Sequence, residues 1–364
     1  MKPRVGILSV GLSSSIGSSL PATWHNLMKG NSVPHSWRCP DGVTRNVGTR
    51  SEGGSDVFSL AEDAIQEALE SVSEEGASKL VYPEAIIVGS SSDTVAYREA
   101  NHPPTLQVSA RLDAVYGFGA YHQISTACAS SSYAIAVAMD LIRANLYKVV
   151  IVGGTDEVTF SSIQGFSSWR VYGDRCRPFA ADRHGLILSE GAAFLVLAKE
   201  GVGRPIAYLA GAGMASDAEN MSAMNSEGVL RAIADSAAEA GSPYFDAVIA
   251  HGTGTDSNDT AESEAILKFS HINANGSLRI PHVVSYKGLM GHPQGASGAI
   301  GVVLAVKAIL EQELFATVAP EKLDPELGVA EAVTTAPMKT DLNTIQVLSH
   351  GSWGVYSALV VIGR

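Results

Sequence analysis

Cys128 sits in the run QISTACASSS at residues 123–132. The β-branched Ile124 and Thr126 favour an extended chain ahead of it, and very small residues surround it. The segment Tyr133–Leu146 that follows has strong helix formers and no Gly or Pro, with its charges, Asp140 and Arg143, three apart on one face. The pattern predicts strand, tight turn and buried helix, with Cys128 at the helix mouth. A thiol there faces free backbone N–H groups and the positive helix end, which are expected to lower its pKa from about 8.5 into roughly the 3.5–7.5 range. Its small neighbours let a second molecule approach the sulfur. Locally, a reactive thiolate and a buried structural cysteine are both open readings. Two glycine-rich stretches further on, HGTGT at 251–255 and GHPQGASG at 291–298, each carry one histidine.

At 364 residues the chain is long for one simple core, so two domains or two fused halves are expected. Apolar residues at 46% can fill a large core, and a net charge of -12 argues against a general nucleic-acid binder. The three cysteines, Cys39, Cys128 and Cys176, form no CxxC pair. That spacing offers neither a disulfide framework nor a zinc site, and it points to a reducing compartment. Lys2 and Arg4 ahead of VGILSVGL weakly resemble a secretory signal, but Gly6 and Gly11 break the run and a first buried strand fits better. No run approaches the roughly 18 unbroken apolar residues of a membrane span.

Strands are expected at 4–10, 84–89, 148–153 and 192–198, with helices around 22–28, 59–72 and 106–115, and a loop over 31–54. The second half repeats this order. Strands at 206–212, 247–250, 282–286, 345–348 and 358–362 accompany helices at 228–240 and 299–311. IIVGSSS matches VIAHGTGT as a strand running into a small polar loop. ISTACASSSYAIAVAMDLI matches VSYKGLMGHPQGASGAIGVVLAVKAIL as strand, small-residue turn and buried helix. The parallel reads as an internal duplication into residues 1–202 and 203–364. Short buried strands alternating with helices predict an α/β fold of mixed or parallel sheets. Ligand sites of such sheets lie beyond the strand ends, where Cys128, His251 and His292 would meet.

TACASS (Thr126–Ser131), RPFAADRHG (Arg177–Gly185), SEGAA (Ser189–Ala193), HGTGT with Asp259 and Glu262, and Lys287 with GHPQGASG stand in one order. Together they resemble the β-ketoacyl-acyl carrier protein synthases of the thiolase superfamily, specifically the decarboxylating condensing enzymes with a Cys-His-His site. The resemblance is strong over residues 120–300 and by layout elsewhere. It implies a thiolase-like fold, layered α-β-α-β-α, and an acyltransferase activity: decarboxylative Claisen condensation of an acyl thioester with malonyl-carrier in fatty-acid or polyketide-type synthesis. By the same resemblance Cys128 accepts the acyl chain, and His251 and His292 donate hydrogen bonds to the malonyl carbonyl as it becomes an enolate. Lys287 and Glu262 are a supporting pair. Backbone N–H groups at Cys128 and Ser352 form the oxyanion hole, and Thr253, Thr255 and Trp353 line the substrate path. No permanent cofactor or metal is implied, only the phosphopantetheine arm of an acyl carrier protein as substrate carrier. The implied partners are that carrier and a second subunit, in a homodimer or a heterodimer with a related ketosynthase, in the cytoplasm.

The C-terminal turn departs from the family's GFGG pattern. HGSWGVYS (His350–Ser357) puts Ser352 where a gating aromatic is expected and Trp353 where a glycine is expected. Residues 90–121 are also compressed relative to the family's cap and dimer region. These departures keep a second reading open, a chain-length-factor-like helper subunit with little activity alone, although such subunits often lose the cysteine. Eight other histidines (His25, His35, His102, His122, His184, His271, His282, His350) are read as packed or solvated, and Asp182 with Arg183 as a structural ion pair.

Overall fold

Buried apolar runs of the first half become β1 (Val5–Ser14), β4 (Ile86–Gly89), β6 (Val149–Asp156) and β7 (Gly191–Ala198), with β5 (Tyr121–Ile124) at the edge. A separate hairpin, β2 (Pro34–Arg38) and β3 (Thr44–Gly48), occupies the stretch read as loop. The second half supplies β8 (Ala207–Ser216), β9 (Ala247–Ile249) and β10 (His282–Val284). It then adds the short pair β11 (Glu313–Leu314) and β12 (Met338–Lys339), and finally β13 (Thr344–Gly351) and β14 (Val355–Ile362). The computed structural model describes every residue except 1, 33, 52–53, 75–81, 93–106, 218–222, 273–278, 319–321 and 353. Trp353, His102 and much of the compressed 90–121 segment therefore lie outside the described residues.

Ten strands run in the order β10-β9-β13-β14-β8-β1-β7-β6-β4-β5. The halves join where β1 meets β8, antiparallel from Val5↔Leu209 to Ile7↔Ala207. Outward from that seam both halves follow one order: first, fifth, fourth, second and third of their own strands. Each half is mixed, with β4–β5, β4–β6, β9–β10 and β9–β13 parallel and the rest antiparallel. The duplication visible in the sequence is thus a duplication of topology.

The helices are α1 (Leu20–Lys29), α2 (Val57–Glu74), α3 (Val108–Tyr116), α4 (Ser130–Arg143), α5 (Phe160–Ser168), α6 (Ser226–Ala240), α7 (Asp256–Ile272), α8 (Lys287–Met290) and α9 (Ser297–Glu311). Leu60 and Ile65 of α2 pack with Ile86, Ile151 and Phe194 on the outer face of the first-half strands. Val229 and Ile233 of α6 and Phe269 of α7 pack likewise against Val248 and Val360 of the second. Between the two sets of strands, Ile135 and Ile142 of α4 share one core with Ile300 and Val303 of α9. The result is the α-β-α-β-α layering of a thiolase-like fold.

Helix α9 is buried from Ser297 to Ile309 except at Lys307, so it is almost entirely apolar and shows no polar stripe. The stretch Gln294–Glu311 is long and apolar enough to cross a membrane by length and composition, with mean hydropathy 1.3, yet 83% of it is buried inside the fold. Each buried Ile, Val or Leu side chain there contributes about 1.5–3 kcal/mol of burial. The approach of α4 to α9 is close: Ser131 Oγ accepts from Ala299 N at 3.0 Å, and a Cβ added at Gly298 would overlap Ser132 Oγ. That contact brings the two helix mouths, one from each half, to the same place.

Candidate active site

Cys128 occupies the turn between β5 and α4, two residues before the helix begins. Ala127 carries φ 52, a left-handed backbone in a non-glycine residue that costs roughly 1–3 kcal/mol and marks a sharp elbow. Ser130 clasps the elbow, its Oγ accepting from Thr126 N at 2.9 Å and donating to Ala127 O at 2.6 Å. From β13, Ser349 Oγ donates to Cys128 O at 2.9 Å. These small hydroxyl residues explain why the cysteine sits in a run of serines.

The thiol's resting state differs from the sequence expectation. Burial pushes the Cys128 thiol up to about 12, with the Asp156 carboxylate adding to the rise and Lys287 opposing it. Desolvation of the enclosed sulfur is the largest cause, and it favours the neutral form. The resting group is therefore a thiol, and it needs a proton acceptor. His292 meets that need: its Nε2 lies 3.0 Å from Cys128 Sγ.

His292 lies between α8 and α9, in a turn held by both halves. Its N–H donates to Ile187 O at 2.8 Å, and its carbonyl accepts from Ser189 N at 2.9 Å, which gives the SEGAA stretch its purpose. The carboxylate of Asp156, buried at the end of β6, accepts from Ser90 Oγ, Ser92 N and Gly295 N at 2.7, 2.9 and 2.6 Å. One acid thus ties the loop after β4 to the His292 turn.

His251 follows β9, its ring 5.2 Å from that of His292 at 89°. The backbone N–H of His350 donates to His251 Nδ1 at 3.2 Å, so the proton of the neutral ring sits on Nε2. Burial first, and then the positive charge of Lys287, hold both His251 and His292 well below the usual histidine range. Both imidazoles are neutral near pH 7.

Lys287 and Glu262 grip His251 through its backbone. Lys287 Nζ donates to His251 O at 2.5 Å, and Glu262 accepts from His251 N at 2.6 Å and Gly252 N at 2.8 Å. No ion pair joins the two among the described residues, and the Glu262 charge acts on Lys287 through space. Burial lowers Lys287 to about 8 against the raising effect of Glu262. Asp259, raised by burial to about 6, accepts from Thr253 N at 3.1 Å and Phe179 N at 2.7 Å, tying the HGTGT loop to RPFAADRHG. In that motif Asp182 pairs with Arg177, whereas Arg183 pairs with Asp324 at 2.5 Å and Asp256 at 2.7 Å. The expected Asp182–Arg183 pair is thereby replaced by ties to α7 and beyond.

A cavity of about 240 Å³ is lined by Cys128, His251, Thr253, Thr255, His350 and Ser352 among others. Thr253 and Thr255 hydrogen-bond through their hydroxyls at 2.9 Å. Beside the cysteine, a Cβ added at Gly351 would stand 3.0 Å from Thr126 O and 3.4 Å from Cys128 N, so the backbone leading to Ser352 runs directly past the elbow. His350 is the functional neighbour that sequence reasoning set aside. Its ring is fully buried 5.3 Å from that of His251, with Nε2 3.5 Å from Glu262 Oε1. Its position in a departing turn, HGSWGVYS, was the signal that could have found it. No cluster of three or more His, Cys, Asp or Glu among the described residues could hold a metal ion.

A buried thiol against one imidazole, with a second imidazole presenting N–H to the same cavity, is equipped for acyl transfer and for stabilising an enolate oxygen. Sequence comparison matches residues 95–201 to the β-ketoacyl synthase N-terminal domain and residues 206–320 to its C-terminal domain. The chain belongs to the β-ketoacyl synthase family. It is a condensing enzyme of the acyltransferase class. Nodulation protein E of Rhizobium sp. (strain N33) is 30% identical over 371 residues, covering 90% of this chain and 91% of that protein. The 3-oxoacyl-[acyl-carrier-protein] synthase 2 of Synechocystis sp. is 35% identical over 218 residues, 55% of this chain and 51% of that one. A chain from the ketosynthase in complex with its chain length factor from Xenorhabdus doucetiae superposes with TM-score 0.85 at 25% identity, covering 100% of this chain and 98% of that one.

Proposed function

We propose that this β-ketoacyl synthase takes an acyl group onto Cys128 from the phosphopantetheine arm of an acyl carrier protein and condenses it with malonyl-carrier. The observation that carries the reading is the 3.0 Å contact between His292 Nε2 and Cys128 Sγ, with His251 alongside. His292 takes the thiol proton as sulfur attacks the incoming thioester. The emerging oxyanion is held by backbone N–H groups at Cys128 and Ser352. The malonyl arm then threads past Thr253 and Thr255, and the Nε2–H groups of His251 and His292 receive the enolate oxygen as carbon dioxide leaves. A helper subunit without chemistry of its own would have no use for this sulfur–imidazole contact. The enzyme works in the cytoplasm as a dimer, with a second copy or a related ketosynthase subunit, in fatty-acid or polyketide-type synthesis. Its halves divide at residues 1–202 and 203–364, between β7 and β8, a division supported by the shared strand order.

Intact-protein mass spectrometry with acyl-carrier and malonyl-carrier tests the reading. One acyl adduct mapping to Cys128, followed by release of carbon dioxide and a 3-oxoacyl product, is expected. Absence of both adduct and carbon dioxide, with rescue only by a related subunit, contradicts it.

The pH dependence follows from Lys287. Its positive charge favours the negative oxygen and sulfur that form during the reaction, and it is present below about pH 8 and lost above. The condensation rate is expected to stay nearly level around pH 7 and to fall as pH rises through about 8. The histidines should add no acid limb there, because burial holds both well below the usual histidine range. Lys287→Met should remove the alkaline limb and lower the plateau. An unchanged limb in that variant would assign it to another group.

A further inference from the structure

Ser297, the first residue of α9, is 2% exposed and faces His292 from the side opposite the sulfur. Its Oγ lies 3.2 Å from His292 Nδ1 and 2.7 Å from Gln294 O. A hydroxyl has a single proton to donate and can accept as well. With that proton on Gln294 O, Oγ can only accept from Nδ1–H, so the ring's lone pair is on Nε2, facing the thiol 3.0 Å away. With the hydroxyl turned to Nδ1, the ring instead carries its proton on Nε2, directed as a donor toward the Cys128 side. One rotation serves both ring states, and neither leaves Nδ1 without a partner in a buried setting.

The two half-reactions require these two states. In acylation the S–H bond of Cys128 breaks, its proton passes to Nε2 and on to the leaving sulfur of the carrier arm, and a C–S bond forms to the acyl carbon. In condensation the malonyl C–C bond to the carboxylate breaks and releases carbon dioxide. The electron pair becomes the enolate and then the new C–C bond, while the C–S bond to Cys128 breaks. The proton that restores the thiol is supplied by water, and the imidazole stays neutral throughout this half-reaction. Resting on the function proposed above, we infer that Ser297 is a positioning residue that sets the tautomer of His292. It keeps Nε2 bare in the free enzyme and permits Nε2–H once the acyl group is in place.

Nitrogen NMR of the free enzyme with ¹⁵N-labelled histidine reads this directly, because the protonated and bare ring nitrogens have distinct shifts. His292 should be protonated on Nδ1 in the wild type. In Ser297→Ala it should shift to Nε2, since an orphaned buried N–H is tolerated less well than an orphaned acceptor. Acylation of Cys128 in that variant should fall by roughly 100-fold. Decarboxylation of malonyl-carrier by thiol-blocked enzyme should change by less than about threefold, and Ser297→Thr should restore the hydroxyl and most of the acylation rate. A wild-type His292 protonated on Nε2 overturns the inference, whether or not the alanine variant folds. Equal loss of both half-reactions in Ser297→Ala also overturns it. Failure of the wild type to acylate at all would instead strike at the proposed function, leaving the tautomer measurement to be read by itself.

Discussion

Cys128→Ala is expected to abolish acylation, with loss of acyl transfer by at least roughly 10⁴-fold, because the only thiol among the described residues lining the catalytic cavity is gone. Neither remaining cysteine can replace it. Cys39 is buried in the cluster beside the β2–β3 hairpin, and Cys176 is buried with its thiol donating to Thr253 O at 3.0 Å. Burial pushes the Cys176 thiol up and keeps it inert. Alanine fits the elbow, since Ala127 and Ala129 already flank the site. The variant should therefore fold and still release carbon dioxide from malonyl-carrier, because both imidazoles remain. Mass spectrometry and a carbon dioxide assay separate the two steps. An acyl adduct of unchanged yield in Cys128→Ala would remove the sulfur from the mechanism.

The two histidines should part company when changed singly. His251→Ala removes a donor to the enolate but leaves the sulfur and its acceptor untouched. Acylation is expected to persist while condensation falls by roughly 10²–10³-fold, the usual cost of one oxyanion donor. His292→Ala removes both the proton acceptor at 3.0 Å and the second donor, so both half-reactions should fall. The burst of acylation in rapid-quench experiments reads the first step, and carbon dioxide release reads the second. Identical behaviour of the two variants would contradict the division of labour that the geometry assigns.

The Cys128 turn was legible because its cause is local: β-branched chain, very small residues and then strong helix formers. The histidine turns were legible through glycines that let backbones meet, as where Gly298 lies against Ser132. The thiol's resting state was not, because it depends on enclosure by both halves rather than on the helix mouth. Helix α7 escaped because Asp259 and Glu262, which serve the His251 loop, occupy inward positions where an apolar period would otherwise show. The β2–β3 hairpin escaped because its strands, PHSWR and TRNVG, carry little alternation. Ser297 and His350 were hidden because ordinary residue types acquire their roles only from what the other half of the chain sets beside them.

In the proposed chemistry one sulfur and two imidazoles act on a single thioester. That chemistry is tested most directly by a crystal structure of the Cys128 acyl-enzyme with a non-decarboxylating malonyl-thioester analogue. The analogue's carbonyl oxygen is expected within hydrogen-bond distance of Nε2 of both His251 and His292, and its methylene carbon facing the acyl carbon on Cys128. A carbonyl oxygen bound by neither imidazole, or an analogue seated away from the acylated sulfur, would contradict it.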